Sequence, residues 1–180
     1  MSPISQEKAL QYEMHKDFFD RCRFAIDNGM YFEAMLMEYA SIESRLEVIM
    51  GVIGLPCNKG LPDTERRKIL ISDRIKCLKT VSQTSDGFSS SKLSKGFFTK
   101  LEKWIAERNK YIHGLYKNEM EYKNRMKNIS GVATRGYEIC GELYREAKRL
   151  RRLNHNSNMP TIEFPCIKTN CSYKNKNHLG

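Results

Sequence analysis

The sequence predicts an all-α fold, an antiparallel bundle of four to five helices followed by an irregular C-terminal tail. Three observations lead there. Apolar residues recur at spacings of three and four along most of the chain, no stretch alternates as a strand does, and no hairpin turn signal appears. Glycine and proline stops cut the periodic stretches into pieces of helix length. At 180 residues, with 40% hydrophobic and 29% charged content, the chain suits one domain with a core of its own. The expected organisation is a helical bundle over 1–153 and an arm over 154–180.

The first helix is expected from about Ser5 to Asn28, with Leu10, Met14, Phe18, Cys22 and Ala25 on one stripe. "DNG" at 27–29 supplies its stop, with Gly29 suited to a left-handed conformation and a short turn reversing the chain. The second segment carries the strongest signal: Met35, Tyr39, Ile42, Leu46, Ile49 and Ile53 form one seam over roughly six turns. Gly54 and Pro56 end it, and "LPCNKGLPD" reads as a loop. Asp63 or Thr64 can cap a third helix running to about Val81, its apolar face made by Ile71, Ile75, Leu78 and Val81.

"SQTSDGFSSSKLSKG" reads as a polar loop suited to binding contacts. A fourth helix follows with Phe97, Phe98, Leu101, Trp104 and Ile105, then Arg108, and the chain is expected to bend or break near His113–Gly114. A last long helix is expected from about Tyr116 to Leu153, carrying Met120, Met126, Ile129, Tyr137, Cys140, Leu143 and Tyr144. Its end, "REAKRLRR", places cations where the helix dipole favours them. The tail from 154 loses all periodicity.

No apolar run approaches membrane-spanning length, and the N-terminus lacks the pattern of a secretory signal, so a cytoplasmic location is expected. The six cysteines are scattered, and the expected state is free, mostly packed thiols. A net charge of +10 favours an anionic partner, nucleic acid first. "ERRK" (65–68) and "KRLRR" (148–152) either track an RNA backbone or are solvated helix surface. Cys166-x4-Cys171, with His155 and His178 nearby, is too irregular a spacing to predict zinc. With no phosphate-cradling glycine loop, nucleophile elbow or HExxH pattern, neither a metal nor a nucleotide cofactor is implied.

The stretch that carries chemistry is "ERNKYIHGLY", residues 107–116. Arg108, Asn109 and His113 fall there at the end of the tryptophan-bearing apolar face. In an all-α bundle, at the junction into the last helix, this arginine, polar residue and histidine resemble the signature of the HEPN superfamily of ribonucleases and nucleotide-binding proteins. The likeness covers roughly residues 5–153 as a helix pattern and about ten residues as a motif. One branch of that superfamily, the HepT-type toxins, carries a tyrosine two residues after the histidine; here Leu115 stands there and Tyr116 follows.

The resemblance implies a metal-independent endoribonuclease acting on RNA, without DNA specificity, as a homodimer with the site at its interface. It further implies a toxin, phage-defence or stress-response setting, with a cognate antitoxin or regulator as a possible partner. The alternative is a non-catalytic module binding RNA, nucleotide or protein through the same cleft. The chemistry of the residues fits either reading. Histidine titrates near neutral pH and can move the proton of a 2′-hydroxyl, while arginine offers a permanently charged fork for phosphate oxygens. Asn109 can orient the histidine or hold a phosphate oxygen. Lys110, Tyr111, Tyr116 and Glu43 are the expected substrate-binding residues, Glu43 as a carboxylate positioning His113 or Arg108 unless it is plain helix edge, and Tyr111 as a base-stacking ring unless it fills the core. Five residues on a straight helix lie about 140° apart, so the pair converges only through a kink or across a two-fold dimer.

Overall fold

The computed structural model describes residues 3–53, 70–84, 93, 95–114, 126 and 128–155. Among them it holds five α-helices and no strand, the all-α bundle expected. We number these α1 (Pro3–Asp27), α2 (Tyr31–Val52), α3 (Ile71–Thr84), α4 (Lys95–Gly114) and α5 (Ile129–His155). None of them is long and apolar enough to cross a membrane.

The described chain divides into two compact units. The first takes α1, the start of α2 to Ser41, α4 from Lys103 and α5 to Gly141. The second takes the remainder of α2, all of α3, α4 to Glu102 and α5 from Glu142.

In the first unit α1 ends as its "DNG" predicts. Gly29 sits at φ 73°, a conformation that costs a glycine little. The Met30 N–H reaches the Ala25 carbonyl at 2.8 Å and the Gly29 N–H the Ile26 carbonyl at 3.1 Å, the paired bonds of a Schellman cap. The chain reverses there, so Cys22 on α1 meets Glu38 on α2. The expected α1 stripe holds from Cys22 and Ala25, which are buried, but not at Met14, which is 62% exposed. Spacing put Met14 on the stripe, but the ring contact with α5 on this face comes further along, at Phe19, whose ring meets Tyr137 edge-on at 5.5 Å. Trp104 is buried and donates its indole N–H to the Val132 carbonyl at 2.9 Å, tying α4 to α5.

The second unit is built on the predicted seam. Ile42, Leu46, Ile49 and Ile53 are buried on α2 or just past it, with Ile71, Ile75, Leu78 and Val81 on α3 and Phe97, Phe98 and Leu101 on α4. Helix α2 stops at Val52, just before the expected Gly54 and Pro56, with Ile53 still bonded back to Ile49 at 3.0 Å. Buried Arg74 donates from Nη1 to the Glu43 carbonyl at 3.0 Å and meets Glu47 at 3.4 Å. Helix α5 ends at His155 rather than Leu153, within the usual slack of helix ends.

Two helix starts differ from expectation. Helix α3 begins at Ile71, with Leu70 outside it and its carbonyl accepting from the Arg74 N–H at 3.2 Å, so no single helix runs from Asp63 or Thr64. Helix α5 begins at Ile129 after a turn at Asn128, so the last helix is not continuous from about Tyr116. The loop at 55–63, most of the loop at 82–96, the "ERRK" cluster, and the tail with Cys166 and Cys171 lie outside the described residues. Of the cysteines within the described residues, Cys22, Cys77 and Cys140 are buried thiols in no disulfide, as expected.

Candidate functional site

Helix α4 runs unbroken through the motif to Gly114. No break falls between Arg108 and His113, and side chains five residues apart on a regular helix leave it about 140° apart. Arg108 turns inward and is half-buried; His113 is exposed on the last turn. Within one protomer the structure does not bring them together.

Arg108 is held in place from two sides. Its guanidinium lies over the Tyr39 ring, 4.4 Å from the centroid, and its Nη1 donates to Asn109 Oδ1 at 2.9 Å. Its buried Nε has no hydrogen-bond partner. Desolvation lowers the guanidinium pKa, with the Tyr39 phenol acting in the opposite direction. Other arginines of the structure are answered by carboxylates: Arg74 by Glu47, Arg135 by Glu107 and Arg149 by Glu146. Among the described residues no carboxylate stands within ion-pair reach of Arg108. Such a cation, fixed and not neutralised, suits an anion brought from outside.

The remaining expected residues fall in different places. Asn109 is a partner of Arg108 and is not shown with His113. Lys110 and Tyr111 line a groove of about 590 Å³, together with Glu107 on α4 and Asn128, Ser130 and Arg135 on or just before α5. Glu43 belongs to the second unit, where its backbone carbonyl serves Arg74. Tyr116 lies outside the described residues.

Sequence reasoning missed the polar centre of the first unit. Glu38 is fully buried on α2. Its Oε1 accepts the Cys22 Sγ–H at 3.5 Å, and its backbone carbonyl accepts the Cys140 Sγ–H at 3.5 Å. Oε2 is buried without a hydrogen-bond partner, and the nearby Tyr137 backbone N–H acts on the carboxyl as a whole. Burial therefore pushes the carboxyl up to about 8, against the smaller opposing effects of Cys22 and the Tyr137 amide. Burial also pushes the Cys22 thiol up, so it stays protonated and can donate. Gly136 makes room for this carboxyl, since a Cβ there would overlap it and stand 2.7 Å from Trp104 Cζ2. Glutamate at a helical position reads as surface, and only the bulk of three other helices overrides that.

Among the described residues no group of three or more His, Cys, Asp or Glu side chains is placed to hold a metal ion. The chain matches no family model, no curated protein and no solved structure.

Proposed function

We propose that this chain is an endoribonuclease of the HEPN type that cuts RNA without a metal ion. The observation that carries the reading is Arg108: oriented by Tyr39 and Asn109, partly desolvated, and without a carboxylate partner among the described residues. A guanidinium in that state is a binding point for a phosphoryl oxygen, and more so for the charge that builds there in a transition state. Exposed His113 is the proton carrier. In the reaction the 2′-hydroxyl oxygen attacks the neighbouring phosphorus while an imidazole takes its proton. The bond from phosphorus to the 5′-oxygen breaks, and that oxygen takes a proton from the imidazolium of the other copy's His113 as it leaves, giving a 2′,3′-cyclic phosphate and a 5′-hydroxyl end.

The unbroken helix adds a condition. Since one protomer separates Arg108 from His113, the working site is composite, with the histidine of one copy beside the arginine of another across a two-fold axis. Exposed Phe24 and Leu36, each more than half accessible in the first unit, are apolar surface suited to such a contact.

The test compares wild type, His113→Ala and Arg108→Ala on structured RNA in excess EDTA, with mass determined by light scattering. Cleavage that falls by about 100-fold or more in either variant, from a dimeric wild type, is the expected result. Binding without cleavage by all three proteins would reassign the chain as a non-catalytic RNA-binding module. Cleavage only on adding a divalent metal would overturn the mechanism.

A further inference from the structure

We infer that the groove between the C-terminal turns of α4 and the start of α5 is a nucleotide subsite, taking the base and phosphate of one unit of single-stranded RNA. This rests on the endoribonuclease reading and extends it from the cleaved bond to how the strand is gripped.

Three features of the groove select that ligand. The first is its chemistry of charge. Lys110 and Arg135 stand in the lining with the carboxylate of Glu107, which Arg135 meets, so cationic groups reach the groove wall. Arg135 is placed rather than loose: its Nη2 meets Glu107 Oε2 at 2.6 Å, and Gly131, one turn before it, leaves its guanidinium room to lie back along α5. The second is the half-buried ring of Tyr111, four residues from Glu107 and so on its face of the helix, which lines the groove beside Lys110. Bases stack on such rings whatever their identity. The third is the pair Asn128 and Ser130, an amide and a hydroxyl that both donate and accept, as base edges require. A volume of about 590 Å³ is that of a small-molecule site.

The wall is stiff where it needs to be. The Trp104 indole bond to Val132 fixes α5 against α4 directly beneath the groove, and Val132 lines it. The groove also lies on a different arc of α4 from Arg108, which faces Tyr39. It therefore reads a neighbouring nucleotide, not the scissile phosphate itself.

The test uses the full chain carrying His113→Ala, so that binding is read without cleavage, and fluorescence anisotropy of a labelled single-stranded hexaribonucleotide in EDTA. Adding Tyr111→Ala is expected to weaken binding by about 5- to 100-fold, while Tyr111→Phe stays within about twofold. Lys110→Ala is expected to lower the salt dependence by about one counterion. A 4-thiouridine in the RNA is expected to crosslink to peptides holding residues 107–111 or 128–135. Binding unchanged by both Tyr111→Ala and Lys110→Ala, or crosslinks confined elsewhere, overturns the subsite and leaves the cleavage assay of wild type against His113→Ala to stand alone. Tyr111-dependent binding of AMP or UMP, without binding of the hexamer, keeps the groove's chemistry but assigns it to free nucleotides and removes the nuclease reading.

Discussion

The two units bury charge in opposite ways. In the second, buried Glu146 is gripped by Arg149 through Nε at 3.0 Å and Nη2 at 2.7 Å, and buried Arg74 meets Glu47 and a backbone carbonyl. These two ions are each answered by one of the other sign. In the first, the Glu38 carboxyl is answered by the Cys22 thiol and faced by a glycine, and Arg108 by an aromatic ring and an amide. Charge balanced in place serves the fold, whereas charge left open in a packed region costs stability and is retained where chemistry uses it. The contrast holds for these pairs and not for every buried cation, since Arg45 in the second unit also lies over a ring, that of Tyr144.

Replacing the two buried glutamates by glutamine is expected to act with opposite signs. Glu38 binds its proton more tightly folded, at about 8, than at the ordinary value of 4.5. The folded state therefore holds more protons than the unfolded between those values, so stability declines as pH rises from about 4.5 to 8 and levels off beyond. The decline amounts to a few kcal/mol in order of magnitude, and Glu38→Gln should remove it, so that the variant is the more stable protein at pH 9. Urea melts at pH 5, 7 and 9 measure this. A variant with the same pH slope as wild type would show that Glu38 is ionised throughout and that the first unit balances its charge after all.

Glu146→Gln should instead destabilise by roughly 1–3 kcal/mol at pH 7, because it leaves the Arg149 guanidinium without its counter-ion. The same melts read it, and a neutral outcome would erase the distinction between the units. The smallest effect belongs to Lys79 and Glu102, paired at 2.9 Å with both side chains partly exposed. A double-mutant cycle should give a coupling of about 0.2–1 kcal/mol that fades in 1 M salt. A larger, salt-insensitive coupling would mean that surface pairs also hold the second unit together.

What was legible in the sequence follows the reach of the interactions. The α2 seam from Met35 to Ile53 and the α3 face of Ile71, Ile75, Leu78 and Val81 are local periodicities, and these residues are buried apart from the half-exposed Tyr39. The Gly29 cap is local as well. Glu38 is not, because its burial depends on Cys22 before it and on Gly136 and Cys140 about a hundred residues later. Likewise the motif at 108–113 could be picked out by residue type, but the Tyr39 ring beneath Arg108 and the partition of Lys110 and Tyr111 into a groove with Arg135 come from helix packing. Spacing alone put Met14 on the α1 stripe, and only the fold shows that no neighbour covers it.

The bare backbone at position 136 has an evolutionary corollary. Because the carboxyl of residue 38 occupies the space a methyl group would need, the two positions are not independent. A descendant that trades the acid for a short side chain removes one of the two obstacles to alanine opposite, the Trp104 ring edge at 2.7 Å being the other, while one that keeps the acid retains both. Drift at these sites should therefore proceed in step, leaving a correlated pair in whatever lineage carries this chain.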